Sequence, residues 1–195
     1  WYGLYALNKR YNTSSVQGSM IWGIQHDRMV DWMGSPAHTT ISGYNRERTC
    51  GTAPADVIKN VFTLMKPKTA AAGIGLILLK NESVKTACDA HLIEEAILNL
   101  IENAIRYSNS LTIELSLESV GGRAKITVSD KGVGIDKKHL PRLFERFYRV
   151  DKARSREQGG TGLGLAIVKH IAQLHEGEVS VTSNLGEGCT FTIII

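Results

Sequence analysis

Cysteine is scarce in this 195-residue chain, and Cys50, Cys88 and Cys189 are odd in number and far apart. They build neither a zinc pattern nor a disulfide framework, so a reducing, cytoplasmic setting is the plain inference. Long apolar runs are missing as well. The longest, at 75–79 and 192–195, are strand-sized and fall well short of the ~20 residues a membrane-spanning helix needs. No secretory signal is expected, because residues 1–7 are short and uncharged and the basic residues follow them. The chain opens on Trp rather than Met, so it is expected to be a fragment whose sensing or membrane-spanning part lies elsewhere. Charge of one sign is modest too: 23 Lys and Arg against 19 Asp and Glu give a formal +4. The basic residues gather only in 142–156, where Glu145, Asp151 and Glu157 dilute them. A nucleic-acid partner calls for a concentrated basic stripe, so this balance excludes a duplex and suits a small polyanion such as a nucleotide. What is present is globular in kind: 43% hydrophobic and 22% charged residues suffice for a core and exclude a largely disordered chain.

The character of the chain changes near residue 54, which divides it into an irregular segment 1–53 and a regular domain 54–195. The first part is rich in Gly, Ser, Thr and Asn, with one helical candidate at 20–33, where Met20, Ile24, Val30 and Met33 share a face. The second part carries clean periodicities. A helix is predicted over 55–65, stopping at Pro67. A buried strand follows at 75–79, and a strongly striped helix at 91–107. Two alternating segments, 111–118 and 123–129, form a hairpin across Gly121-Gly122. A helix over 163–174 closes at Gly177, and a second hairpin pairs 179–182 with 190–195. The fold class is α+β, a two-layer sandwich with helices on one face of a mixed sheet.

Three segments carry chemistry. In the first, Asn99 and Asn103 are four residues apart on one helix, so their amides share a face. An amide oxygen is a hard neutral ligand suited to Mg²⁺, and Arg106 and Tyr107 at the helix end suit phosphate. The same residues also fit a solvent-facing polar edge on a core helix. The second is Asp130-Lys131-Gly132-Val133-Gly134-Ile135, directly after a strand. Its carboxylate can accept from the exocyclic amine of adenine and would reject the guanine carbonyl, while the glycines admit a flat ring. An ordinary turn has the same composition. The third, Gly159-Gly160-Thr161-Gly162-Leu163-Gly164-Leu165, leads into a helix whose N-terminal N–H groups and dipole suit phosphates. Neither the dinucleotide fingerprint nor the P-loop is present. A flexible linker is the alternative, although it would not lead into Ala166, Ile167 and Ile171 at helical spacing.

In this order the three segments resemble the ATP-binding catalytic domain of bacterial sensor histidine kinases, in the GHKL ATPase superfamily, over about 54–195. The asparagine motif is matched by 98–108, with Arg106 where that family more often has Lys. The first glycine motif is matched by 130–135, and the phenylalanine motif by Phe144-Glu145-Arg146-Phe147-Tyr148-Arg149-Val150-Asp151. The second glycine motif is matched by 159–165, and the closing strand by Gly186-Glu187-Gly188-Cys189-Thr190-Phe191. The resemblance implies the Bergerat fold, with Asp130 on adenine, Asn103 on Mg²⁺ and a mobile lid over ATP between Phe147 and Gly160. Gly132, Gly134, Ile135, Gly160, Thr161, Gly162, Leu163, Gly164 and Thr190 complete the implied nucleotide site. Phe144 and Phe147 are expected to clamp one end of the lid. Arg146, Arg149, Lys152, Arg154 and Arg156 either offset triphosphate charge or form a solvated basic face. Hydrolysing relatives carry Glu at the position of Asn99, and an amide cannot act as a general base. The resemblance therefore implies phosphoryl transfer to a histidine on a separate helical hairpin, with a response regulator downstream.

No phosphoacceptor is found in this chain. His26-Asp27 and His175-Glu176 are the two places where an acid follows a His, and neither the cation nor the proline of the family's pattern follows either. The histidine is thus expected in trans. Residues 1–53 are weakly similar to part of formylglycine-generating-enzyme/sulfatase-modifying-like proteins, so a composite chain is expected, and no activity is assigned to this part. The alternative function is a module that binds nucleotide or protein without transferase activity.

Overall fold

The computed structural model describes residues 53–150 and 161–195. The helical candidate at 20–33, the resemblance read in 1–53, His26, and the lid residues 151–160 with Gly160 among them lie outside the described residues.

Helix α1 (Pro54–Ala71) starts on a proline, whose missing N–H is harmless at the first helical position. Val57, Ile58, Val61 and Met65 form its buried stripe. The predicted stop at Pro67 is not observed. Pro67 removes the bond its N–H would make to the carbonyl four residues back, yet the helix continues to Ala71. Other contacts hold that last turn. Thr69 is buried and its Oγ1 donates to the Lys66 carbonyl, while Lys68 Nζ reaches Glu102 Oε1 at 2.6 Å. Gly73, at φ 72°, then closes the helix in the left-handed conformation, and the Ile74 N–H bonds back to the Thr69 carbonyl.

The apolar run at 75–79 predicts a buried strand, but β1 (Gly75–Asn81) lies at the sheet edge and is only half so. Leu76 faces the core, whereas Ile77 and Leu79 are exposed. Helix α2 (Ala90–Tyr107) is the centre of the molecule: Ile93, Ala96, Ile97, Leu100, Ile101 and Ala104 are buried along one face. The Asp89 side chain caps it, accepting from the His91 and Leu92 N–H groups, a device worth about 1 kcal/mol. Strands β2 (Thr112–Val120) and β3 (Arg123–Asp130) form the predicted hairpin. Its two turn residues, Gly121 and Gly122, both have positive φ, as a two-residue hairpin turn demands.

Helix α3 (Gly164–Leu174) leads into β4 (Glu178–Asn184) and β5 (Gly188–Ile194). The sheet order is β1-β2-β3-β5-β4; β1 and β2 run parallel and the other neighbours antiparallel. This is the expected mixed sheet. Alternate residues of the central strands (Ile113, Leu115, Leu117, Ala124, Ile126, Val128, Phe191 and Ile193) join the three helices in one core. Polar residues such as Glu114, Thr127, Ser129 and Thr192 line the other face.

The end of α3 differs from prediction by one residue. Glu176, not Gly177, takes the left-handed position (φ 54°), with its N–H on the Gln173 carbonyl and the Gly177 N–H on the Ala172 carbonyl. Gly177 is required for a different reason: a Cβ there would lie 2.2 Å from the Ile194 carbonyl oxygen. Gly177→Ala should therefore destabilise the fold by about 2–3 kcal/mol, because backbone must move to admit the methyl. Glu176→Gly should be neutral or stabilising by up to about 1 kcal/mol, since it relieves left-handed strain. Thermal or urea denaturation of the two variants checks both signs.

Candidate functional site

The site is assembled around the C-terminal end of α2. Beyond Tyr107 the chain turns at Ser108, and Asn109 adopts φ 53°, which asparagine tolerates. Ser108 Oγ donates to the Ala104 carbonyl and accepts from the Ser110 N–H. The Ser108 carbonyl then accepts the Val133 N–H at 2.8 Å. Gly132 packs so closely on this carbonyl that a Cβ would stand 1.9 Å from its oxygen. The asparagine helix and the Asp130 turn are thus joined backbone to backbone. Gly134, at φ 68°, makes a similar approach to the Asn184 carbonyl, and the Ile135 N–H donates to Ser183 Oγ at 2.8 Å.

Asp130 ends β3 on the helix-facing side. Its row across the sheet is Leu76, Ile113, Asp130, Cys189 and Ser183, so no neighbour in that row carries a charge. The carboxylate is 7% exposed and accepts from the Gly132 N–H at 2.9 Å. Burial raises its pKa above the ordinary aspartate value, against the lowering effect of backbone bonds from Gly132 and Cys189. Burial, and then the Asp130 charge, push the Cys189 thiol up to about 12, so this cysteine is a thiol and not a thiolate.

The second glycine segment reaches the same helix from the other side. A Cβ on Gly164 would lie 3.0 Å from Asn99 Oδ1 and 3.9 Å from Asn103 Nδ2. Both amides therefore face the N-terminus of α3, in line with their spacing. Asn99 Nδ2 donates to the Glu95 carbonyl at 3.0 Å, which fixes Oδ1 as the atom turned toward α3. Arg106 is exposed, and Asn103 and Tyr107 are half-buried. Thr161 is exposed and Leu163 is half-buried just ahead of α3. Among the described residues no group of three or more His, Cys, Asp or Glu side chains is disposed to hold a metal. Any cation here would depend on amide oxygen, water and the ligand's own oxygens.

Two site residues are not where the sequence reading places them. Thr190 lies on the opposite face of the sheet, its Oγ1 2.8 Å from Ser129 Oγ, because strand alternation turns it away from Asp130. Cys189 occupies the position beside the carboxylate instead. Phe147 is 67% exposed. Its backbone makes the clamp. Phe147 adopts φ 63°, and its N–H donates to the Gly162 carbonyl at 2.9 Å. Gly162, at φ 72°, lies where a Cβ would be 2.9 Å from Phe147 Cα. Phe144 does anchor, edge-on to Phe191 with ring centroids 6.3 Å apart. Tyr148 is held by His139 Nδ1 at 2.7 Å and by the Arg142 guanidinium, 4.4 Å above its ring. Sequence reasoning misses Ser108 and Ser183, which tie the first glycine turn in place, Ser108 through its carbonyl and Ser183 through its hydroxyl; a Ser between a helix and an Asn is the available signal for Ser108. Arg149 Nε and Nη2 are buried without a hydrogen-bond partner among the described residues. A cleft of about 250 Å³ lined by Ile135, Asp136, Lys137, Asn184 and Leu185 shares only Ile135 with the predicted site.

Comparison with known proteins agrees with this geometry. Residues 88–195 match the family described as histidine kinase-, DNA gyrase B-, and HSP90-like ATPase. The sensor-like histidine kinase SenX3 of Mycolicibacterium smegmatis is 53% identical over 108 residues, 55% of this chain and 28% of that protein. The chain thus spans under a third of that relative's length. Full-length ShkA, solved in complex with AMPPNP, has a similar fold, with TM-score 0.61 and 26% identity over 72% of this chain and 29% of ShkA. The mycobacterial sensor histidine kinase MprB superposes with TM-score 0.63 and 24% identity, over 74% of this chain and 94% of that one. That family match covers more than half of the chain, and this chain belongs to the histidine kinase-, DNA gyrase B-, and HSP90-like ATPase family.

Proposed function

We propose that residues 54–195 form a catalytic domain that binds Mg·ATP and transfers its γ-phosphoryl group to a histidine on a hairpin supplied in trans, within two-component signalling. The observation that carries this reading is the joining of three motifs at α2: the Asp130 turn through Ser108, and the second glycine segment through Gly164, against Asn99 and Asn103. The likeness to ShkA, solved with AMPPNP, supports a nucleotide as the ligand.

Asp130, buried at the strand end, accepts from the exocyclic amine of adenine, while Gly132 and Gly134 let its turn pack directly on the Ser108 and Asn184 carbonyls. The N–H groups at the start of α3 meet phosphate oxygens, with the positive end of the helix dipole behind them. Arg149 has buried charged donors that lack a partner among the described residues, which suits an anion. Mg²⁺ fits the donor set, because the Asn103 amide oxygen is a hard ligand and the cation keeps water and phosphate oxygens as its other partners. When bound it would neutralise phosphate charge. Asn99, with its amide bonded to the Glu95 carbonyl, offers no base to activate water, so a positioned nucleophile is favoured over hydrolysis. The partners are the phosphoacceptor hairpin and, after it, a response regulator. No described helix is long and apolar enough to cross a membrane. We assign the domain to the cytoplasmic side of a sensor.

Transfer of label from ATP to an added phosphoacceptor hairpin tests the reading; binding without transfer would favour a nucleotide-binding module instead. Asp130→Asn should weaken ATP-analogue binding about tenfold or more, since one acceptor becomes a donor facing the adenine amine. Fluorescence titration measures it. Asn103→Ala should lower Mg²⁺-dependent transfer by about tenfold while metal-free nucleotide binding changes less. Equal losses in both assays count against the metal role.

A further inference from the structure

Two attachments hold α3 against α2, one at each end. At the first, Gly164 meets the Asn99 and Asn103 side chains. At the second, His175, just past the last residue of α3, meets the start of α2: the Asp89 N–H donates to His175 Nε2 at 3.0 Å. His175 Nδ1 lies 2.7 Å from the Ile171 carbonyl oxygen. The lengths agree. At 1.5 Å per residue, the step from Gly164 to His175 is about 16 Å, and Asp89 to Asn99 and Asn103 is about 15–21 Å. The helices run antiparallel, each bound near both ends of the other.

The partners dictate the form of the imidazole. A carbonyl only accepts, so Nδ1 carries the proton; an N–H only donates, so Nε2 carries none. A second proton on Nε2 would set donor against donor at the Asp89 N–H. His175 is 9% exposed, and burial lowers its pKa below the ordinary histidine value, with the Ile171 bond and the Asp89 charge pulling the other way. The titratable and charged groups on the elements meeting here are Cys88, Asp89, His91 and Glu94 at the start of α2, Lys169 and His170 of α3, Glu176 and Glu178 after it, and Arg123 of β3. Arg123 Nη2 donates to the Glu176 carbonyl. The Asp89 carboxylate already accepts from the His91 and Leu92 N–H groups.

Resting on the nucleotide-binding reading above, we propose that His175 is a positioning residue for this site. Its neutral imidazole fixes where α3 stands along α2, and protonation frees that end and shifts residues 162–164 away from the asparagine amides. Nucleotide affinity then falls in acid, because only the fraction with α3 in register binds. The sign follows from the lowered pKa: the bond is intact in and above the ordinary histidine range and is lost in acid, as pH drops below that range.

The test is titration of the full chain with a fluorescent ATP analogue at pH 7.5 and 5.5, for wild type, His175→Gln and His175→Phe. Wild-type affinity should fall about three- to tenfold more over this interval than that of His175→Gln, which keeps an acceptor and cannot be protonated. The difference cancels the titration of the nucleotide itself. His175→Gln should bind like wild type at pH 7.5, and His175→Phe should bind weakly at both pH values. Equal pH slopes for wild type and the Gln variant overturn the proposal, and so does loss of binding by a folded Gln variant at pH 7.5. Imidazole NMR of the wild type decides the matter should a variant not fold: saturating analogue must lower the His175 titration midpoint, by reciprocity. An unmoved midpoint overturns the proposal. Absence of analogue binding by wild type at pH 7.5 overturns the nucleotide reading instead.

Discussion

The site depends on one backbone contact, the packing of Gly132 onto the Ser108 carbonyl at the end of α2. It joins the end of a core strand to the last turn of a core helix, with no side chain between them. The rest is geometry. Asp130 is held by β2 and β5 on either side, and its own turn bonds back to it through the Gly132 N–H. Asn99 and Asn103 are held by the buried stripe of α2. The carboxylate and the amides therefore belong to elements that cannot shift independently. Rigid elements place binding groups more closely than loops do, which suits a site that works by orientation.

The electrostatics of this arrangement are asymmetric. Asp130 is a charge set in an uncharged row, destabilised by burial and steadied by backbone N–H groups. Such a carboxylate benefits from any donor that enters the pocket, and an exocyclic amine is one. At the other end the protein offers helix N–H groups and neutral amides. One end wants a donor and the other wants an anion. A purine nucleotide has both at a fixed separation, whereas an inorganic phosphate or a free base has only one.

The large features are legible in the sequence, and the single-residue ones are visible only in the structure. The stripe of α2 is plain because six buried residues recur at intervals of three and four, and the β2–β3 hairpin because two glycines must both take positive φ. Pro67 misleads, since the burial of Thr69 and the reach of Lys68 to Glu102 carry the helix past one missing hydrogen bond. The motif assigns Thr190 to the site, but strand alternation, a strict rule of period two, turns its neighbour Cys189 toward Asp130. At Phe147 the side chain is the legible part, whereas the backbone makes the contact. Glu176 in the left-handed position is illegible beside a glycine, the usual occupant, which is reserved here for close passage of the Ile194 carbonyl.

The loop between Phe147 and Gly162 begins and ends at one point, since the Phe147 N–H bonds to the Gly162 carbonyl. Its C-terminal root, however, continues into α3, the helix whose first turn faces the Asn99 and Asn103 amides. Motion of the root must then be motion of α3 along α2. That motion is opposed by the packing of Val168, Ile171 and Ala172 in the core, and at the far end by a ring nitrogen that can accept only while unprotonated. Apolar packing alone is tolerant of small slides, because the dispersion attraction given up in one register is partly recovered in the next. A hydrogen bond is not, since its strength falls steeply with distance and angle. The register of the first turn of α3 is thus fixed most sharply at the residue furthest from it.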